Sequence, residues 1–221
     1  MSAQAAGLKA GYVSANVPFG TTNVAPYVLA MKSAGIDAFY PLTDTNTGLA
    51  TIVGLRQQGV HLKAGFLPES EGDLLASGPA TEQEAKGVYF GSIYEPPEMD
   101  TTGTKTIAAA LKKYAGVDTA PTSGEYIGYL SIDALVQGLE AAGSNPTPAS
   151  VTRALLAMDH YDAAGLVGDH SIDFTMANRG SVVGADNCGF LVQWTGADFK
   201  LIPGGDPICG TTIPGKTVSA K

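Results

Sequence analysis

The residues best suited to chemistry are a polar run and a short acidic turn. Thr43-Asp44-Thr45-Asn46-Thr47 sets hydroxyl, carboxylate and amide groups side by side after the apolar run Asp37 to Leu42, and Glu69 and Ser70 follow a second apolar run, Leu62 to Leu67. Such groups bind by hydrogen bonding. A carboxylate on each loop suits a desolvated ammonium group, which needs a paired, hydrogen-bonding anion. Each also has a plainer reading: Asp44, Thr45 and Asn46 as helix caps, Glu69 as an acidic residue favoured at a helix N-terminus. Tyr94 and Tyr126 either line a cleft or pack, while Trp194 reads as core. His61, His160 and His170 fall in no ligand spacing, so no metal site is expected. Asp169-His170 with Asp173 is the nearest cluster, and a Gly-rich crossing explains it equally well. The chain has no GxSxG elbow, P-loop, GxGxxG after a strand or HExxH, so neither an enzyme nor a cofactor is expected.

Composition narrows the class. The 221 residues are 44% hydrophobic and 15% charged, with a formal net charge of −8. That is enough apolar material for a core and too acidic for a nucleic-acid or anionic-membrane partner, either of which wants a basic patch. No apolar run is long enough to span a bilayer, and MSAQAAGLKAG lacks the apolar segment of a secretory signal. Cys188 and Cys209 bracket an apparent strand pair. They are either a disulfide clamping the last strands or two buried thiols.

These groups need a scaffold, and the periodicity supplies one. Gly11 to Val17 reads as a strand ended by Pro18. A helix capped by Thr21 or Thr22 follows, with Val24, Tyr27, Val28 and Met31 at helical spacing and Gly35 closing it. Asp37 to Leu42 is the next strand, then a helix through Leu49, Ile52, Val53 and Leu55, then the strand Leu62 to Leu67. Glu69 to Ala76 is a short helix or turn, and Gly87 to Tyr94 a fourth strand before Glu95-Pro96-Pro97. This alternation with short loops predicts a parallel, doubly wound α/β sheet, with ligands at the carboxyl ends of its strands.

After the double proline the pattern becomes helical. Ile107, Ala110, Leu111 and Tyr114 mark one helix, Ser123 to Ala142 a second, and Val151, Ala154, Leu155 and Met158 a third that opens with Thr147 and Pro148. In the second, Ile132, Leu135, Val136 and Leu139 fall at i, i+3, i+4 and i+7, a stripe that needs a covering layer, most simply a sheet. No convincing strand separates these helices. A short strand is expected at Ser171 to Phe174, a hairpin at Gly189 to Trp194 and Phe199 to Ile202, and a surface tail beyond Pro203.

GTTNVAPYVLAMKSAGIDAFYPL, LRQQGV, the Phe66-Leu67-Pro68-Glu69 turn, GEYIGYLSIDALVQGLEAAGSNPTPASVTRALLAM and CGFLVQWTGADFKLI together resemble the type I periplasmic solute-binding proteins. Within them the chain is most similar to the branched-chain amino-acid (leucine/isoleucine/valine) binding group of ABC importers. The resemblance runs from about Leu8 to Cys209. It implies two doubly wound lobes closing on a small amino-acid-like solute, with an ABC permease as membrane partner. It also implies a periplasmic or extracellular location, with membrane tethering an option. It maps residues 8–92 and 186–203 to part of the second lobe, 93–185 to the later half of the first lobe, and 204–221 to the tail. The chain thus resembles the C-terminal part alone, with an export signal and the rest of the lobes expected upstream.

By the same resemblance Glu69 matches the ammonium-binding glutamate, and Thr43, Asp44 and Thr45 match a solute-facing loop where aromatics are common, which suggests a more polar solute. Ser70 and Tyr94 complete the expected site. The alternatives are a ligand-sensing regulatory domain of this fold and a non-binding fragment. With part of the first lobe absent, the helical stripes would be uncovered and the chain would self-associate.

Overall fold

A computed structural model describes residues 2–68, 71–175, 188–211 and 213–214. After a short helix α1 (Ser2–Ala5), the chain runs α2 (Ala25–Ser33), β1 (Ala38–Phe39), α3 (Thr45–Gln57), β2 (Ala64–Pro68), α4 (Glu71–Ala76), α5 (Pro79–Glu84) and β3 (Tyr89–Ser92). A single-turn helix at Pro97–Met99 leads to α6 (Thr102–Ala115), α7 (Ser123–Ala142) and α8 (Pro148–Leu156); β4 (Cys188–Trp194), β5 (Phe199–Ile202) and β6 (Ile208–Cys209) close the chain. The sheet order is β1-β2-β3-β4-β5, with β6 on β4. β1, β2 and β3 are parallel, and β4 returns antiparallel to β3 through Phe90↔Val192 and Ser92↔Phe190. The fold is α/β, as the alternation predicts.

Two expectations at the start fail for identifiable reasons. Gly11 to Val17 forms no strand, although its residues suit one: it shares a cavity with β1 through Tyr12, Val13 and Val17 beside Ala38 and Phe39, but makes no ladder with it. Neither Thr21 nor Thr22 caps α2. Its N-cap is Val24, without a side-chain bond, because a proline occupies the first turn and removes one of the N–H groups a cap would satisfy. The Thr21 hydroxyl instead accepts from the Asn23 N–H at 3.2 Å.

The apolar interior falls into separate clusters. Leu49, Ile52, Leu67, Val88, Phe90, Val192 and Trp194 fill one face of the sheet, and Val28, Met31 and Leu55 seal α2 onto α3. Trp194 is core, and its indole N–H donates to the Glu82 carbonyl at 2.8 Å. The other cluster joins α6 and α7 to the segment after α8: Ile107, Tyr126 and Leu130 pack with Tyr161, Ala163, Leu166 and Val167. The strand expected at Ser171 to Phe174 reduces to a two-bond bridge between Tyr161 and Ile172.

The α7 stripe is not under a sheet. Ile132, Leu135, Val136 and Leu139 are 61%, 42%, 45% and 37% exposed, and the helix instead buries Tyr126, Leu130 and Gly138. A 20-residue helix can hold by its ends and one buried face. Here the N-terminus is fixed by a capping box, in which Thr122 Oγ1 accepts from the Glu125 N–H and the Glu125 carboxylate accepts from the Thr122 N–H.

Candidate binding site

Because β1, β2 and β3 are parallel and in register, their carboxyl ends open on one edge of the sheet. Neighbouring strands lie about 4.8 Å apart, so the loops after β1 and β3 are separated by about 10 Å, within reach of one small ligand. Three features meet along this edge.

The first is the start of α3. Asp44 is its N-cap: Oδ1 accepts from the Thr47 N–H at 2.9 Å, and Oδ2 accepts from the Gly20 N–H at 2.7 Å and the Thr43 hydroxyl at 3.1 Å. Partial burial works against its charged form, but the donors from Thr47, Gly20 and Thr43 outweigh that and hold the carboxyl below its ordinary value. The structure therefore gives Asp44 the capping role, and the cap also ties the Gly20 turn to α3. Thr45 is buried in the first turn. Thr43 is half-exposed and lines a cavity of about 460 Å³ with Tyr12, Tyr27, Phe39 and Tyr40.

The second feature follows β2. Glu69 and Ser70 lie outside the described residues. Directly beyond them Glu71 is buried, and Gly72 and Asp73 carry the sheet into contact with the helices. A Cβ built on Gly72 would lie 2.4 Å from the Ala120 carbonyl oxygen and 2.5 Å from both the Pro121 carbonyl carbon and the Thr122 nitrogen, so only glycine fits. Asp73 Oδ2 accepts from the Ser123 N–H at 3.1 Å and its hydroxyl at 3.0 Å, placing a carboxylate at the N-terminus of α7.

The third is the exit from β3. Tyr94 stacks on Tyr126 with ring centroids 6.1 Å apart and planes 12° from parallel. Glu95 is buried; its N–H donates to the Leu166 carbonyl at 2.7 Å, and its Oε2 accepts from the Thr101 hydroxyl at 2.5 Å. Burial raises the neighbouring Glu98 carboxyl.

Of the expected residues, Thr43, Asp44 and Thr45 stand together where the loop after β1 enters α3, and Tyr94 sits at the junction of the sheet with the helices. Sequence reasoning missed Gly72 and Asp73. No spacing rule links Asp73 to a residue 50 positions away. Cys188 and Cys209 are bridged, on directly opposed residues of β4 and β6. Chemically the edge offers hydrogen-bonding groups, carboxylates and stacked aromatics.

A periplasmic binding protein family model matches residues 1–199. The chain belongs to that family. Among solved structures, a branched-chain amino-acid ABC transporter protein from Thermus thermophilus with bound valine aligns at TM-score 0.71 and 18% identity, over 95% of this chain and 55% of that one. A substrate-binding periplasmic protein from Ralstonia solanacearum aligns at TM-score 0.65 and 20% identity, covering 80% and 48%. A solute-binding protein from R. palustris in complex with benzoate aligns at TM-score 0.60 and 14% identity, covering 91% and 52%. No curated protein matches the sequence. The chain spans about half the length of these solved relatives. Periplasmic binding proteins are solute binders rather than enzymes and work outside the cytoplasm; among the described residues no helix is long and apolar enough to cross a membrane.

Proposed function

We propose that this chain is part of the extracytoplasmic substrate-binding component of an ABC importer, and that its solute is an amino acid or related small amide held between two lobes. The observation that carries the reading is the convergence of the three parallel-strand ends with the N-terminus of α7, in a chain whose family match covers residues 1–199. Thr43 and Thr45 supply hydroxyls, Glu69 pairs with the ammonium group, Ser70 adds a hydroxyl, and Tyr94 covers the solute from the β3 crossing. Asp44 contributes mainly by fixing the Thr43 loop through its cap. Solute that touches both lobes favours the closed arrangement by differential contact, without covalent chemistry. The residues give the ligand more polar partners than leucine needs, which favours a polar side chain.

Calorimetric titration with a panel of amino acids, their amides and benzoate tests this. The expected result is heat from a polar amino acid that is lost in Glu69→Ala. Binding of benzoate with no response to any amino acid would overturn the solute class, and an unchanged affinity in Glu69→Ala would overturn the ammonium assignment.

A further inference from the structure

The disulfide has a third neighbour. The ligand atoms of His170, Cys188 and Cys209 all lie within 4.8 Å of one another, although His170 is separated from the cysteines by much of the crossing and by two strands. The backbone that carries His170 is held from both sides. The His170 backbone N–H donates to the Val167 carbonyl at 3.1 Å, and two residues later the backbone of Ile172 is bonded in both directions to Tyr161, at 3.0 and 2.8 Å. The two cysteines are in turn fixed opposite each other by the β4–β6 pairing. A small cavity lined by His170, Ser171 and Cys188 among Ile93, Val167 and Phe190 adjoins them, while Cys209 is exposed.

We propose that the Cys188–Cys209 bridge is the oxidised, metal-free form of a two-thiolate, one-imidazole site, and that the reduced chain binds one thiophilic divalent cation of the zinc class there. The ligand types suit such an ion, which takes Cys and His at about 2.3 and 2.0–2.1 Å in a tetrahedron. Those bond lengths set ligand atoms about 3.6–3.8 Å apart, so the sulfurs part and the imidazole closes by on the order of 1 Å. The fourth position is left open. Residue spacing gives no hint of this site, because its three ligands meet only through the return of β4 and β6.

The chemistry balances in two steps. A dithiol reductant passes two electrons and two protons to the bridge, leaving as its own cyclic disulfide while the chain gains two thiols. Exposed Cys209 is the sulfur such a reductant reaches. The cation then displaces both thiol protons and takes neutral His170 as its third ligand. Oxidation of the thiolates would expel the metal, so occupancy reports the redox poise of the compartment. The site stands independently of the solute reading.

The test uses the full chain, reduced and freed of reductant without oxygen, titrated with Co²⁺ alone. One equivalent should give thiolate-to-cobalt charge-transfer absorption and the visible bands of tetrahedral cobalt, both removed by Zn²⁺. The oxidised chain and Cys188→Ser should give neither. His170→Ala keeps both thiols and should weaken binding at least about tenfold, which separates a built site from adventitious capture by two cysteines. Equal affinity in His170→Ala would overturn the proposal, as would equal binding by the oxidised chain. Far-ultraviolet circular dichroism covers the remaining outcome: if reduction unfolds the chain and one equivalent of metal fails to restore its spectrum, the proposal also falls.

Discussion

The contact between Gly72 and residues 120–122 should couple the sheet to the helices, and Gly72→Ala tests it. The added methyl would meet three backbone atoms at 2.4–2.5 Å, and none of them can move aside by changing rotamer. Ordinary van der Waals contact requires the two segments to part by about 1 Å, an overpacking cost of about 1–3 kcal/mol. That movement also stretches the bonds from Ser123 to Asp73, now 3.0 and 3.1 Å, beyond hydrogen-bond range. Bonds to a charged acceptor contribute about 1.5–3 kcal/mol each when well buried, and roughly half that at a partly exposed joint. Alanine returns about 1 kcal/mol through helix propensity, leaving a net loss of about 2–5 kcal/mol. Urea unfolding should be followed by fluorescence of Trp194, the single tryptophan, which reports the sheet core, and by far-ultraviolet circular dichroism, dominated by the helices. The two transitions should move to lower urea and separate. Gly128→Ala is the matched control: its Cβ meets nothing within 4 Å, so it should be neutral or stabilising by up to about 1 kcal/mol. A Gly72→Ala midpoint matching that of the parent would refute the close approach and the coupling drawn from it.

Three further outcomes follow from the same geometry. Replacing both cysteines by serine opens a loop with a sequence separation of 21 and should cost about 3 kcal/mol of stability, read as a fall in the urea midpoint with the slope examined for changes in the unfolded state. The Asp44 carboxyl is held below the ordinary carboxylate value, so its contribution is present above that value and is lost as pH falls through the depressed folded-state pKa. Asp44→Asn should therefore flatten the loss of melting temperature below about pH 4, and an unchanged acid limb would refute the assignment. The exposed α7 face should drive concentration-dependent self-association in light scattering, abolished by Ile132→Glu with Val136→Glu; a monomer at all concentrations in the parent chain would contradict it.

Much of the scaffold was legible because local signals and tertiary demand agree. The spacing of Leu49, Ile52 and Leu55 and the cap at Asp44 specify α3, and the structure buries those side chains together. Thr147 with Pro148 marks the start of α8 for the same reason. Misreadings arise where a local signal depends on something distant. Gly11 to Val17 has strand composition but pairs with no strand, and composition cannot supply the pairing. The stripe of Ile132, Leu135, Val136 and Leu139 is a sound helical pattern, yet periodicity states only that a face is apolar. Whether a layer covers it depends on the rest of the fold.

The site divides in the same way. Thr43, Asp44 and Thr45 could be picked out because polar residues directly after an apolar run mark a strand end, and strand ends are where this sheet presents its loops. Sequence could not separate capping from binding at Asp44, since both use the same carboxylate. The structure shows the cap, with the Gly20 and Thr47 N–H groups donating to its two oxygens. Gly72 and Asp73 left no local trace, because their requirement comes from the backbone at Ala120 to Ser123. A glycine forced by a distant carbonyl resembles any helix-weakening glycine until the two segments are seen together. The junction that aligns the sheet edge with α7 is therefore specified by two residues that residue type and spacing rank among the least informative.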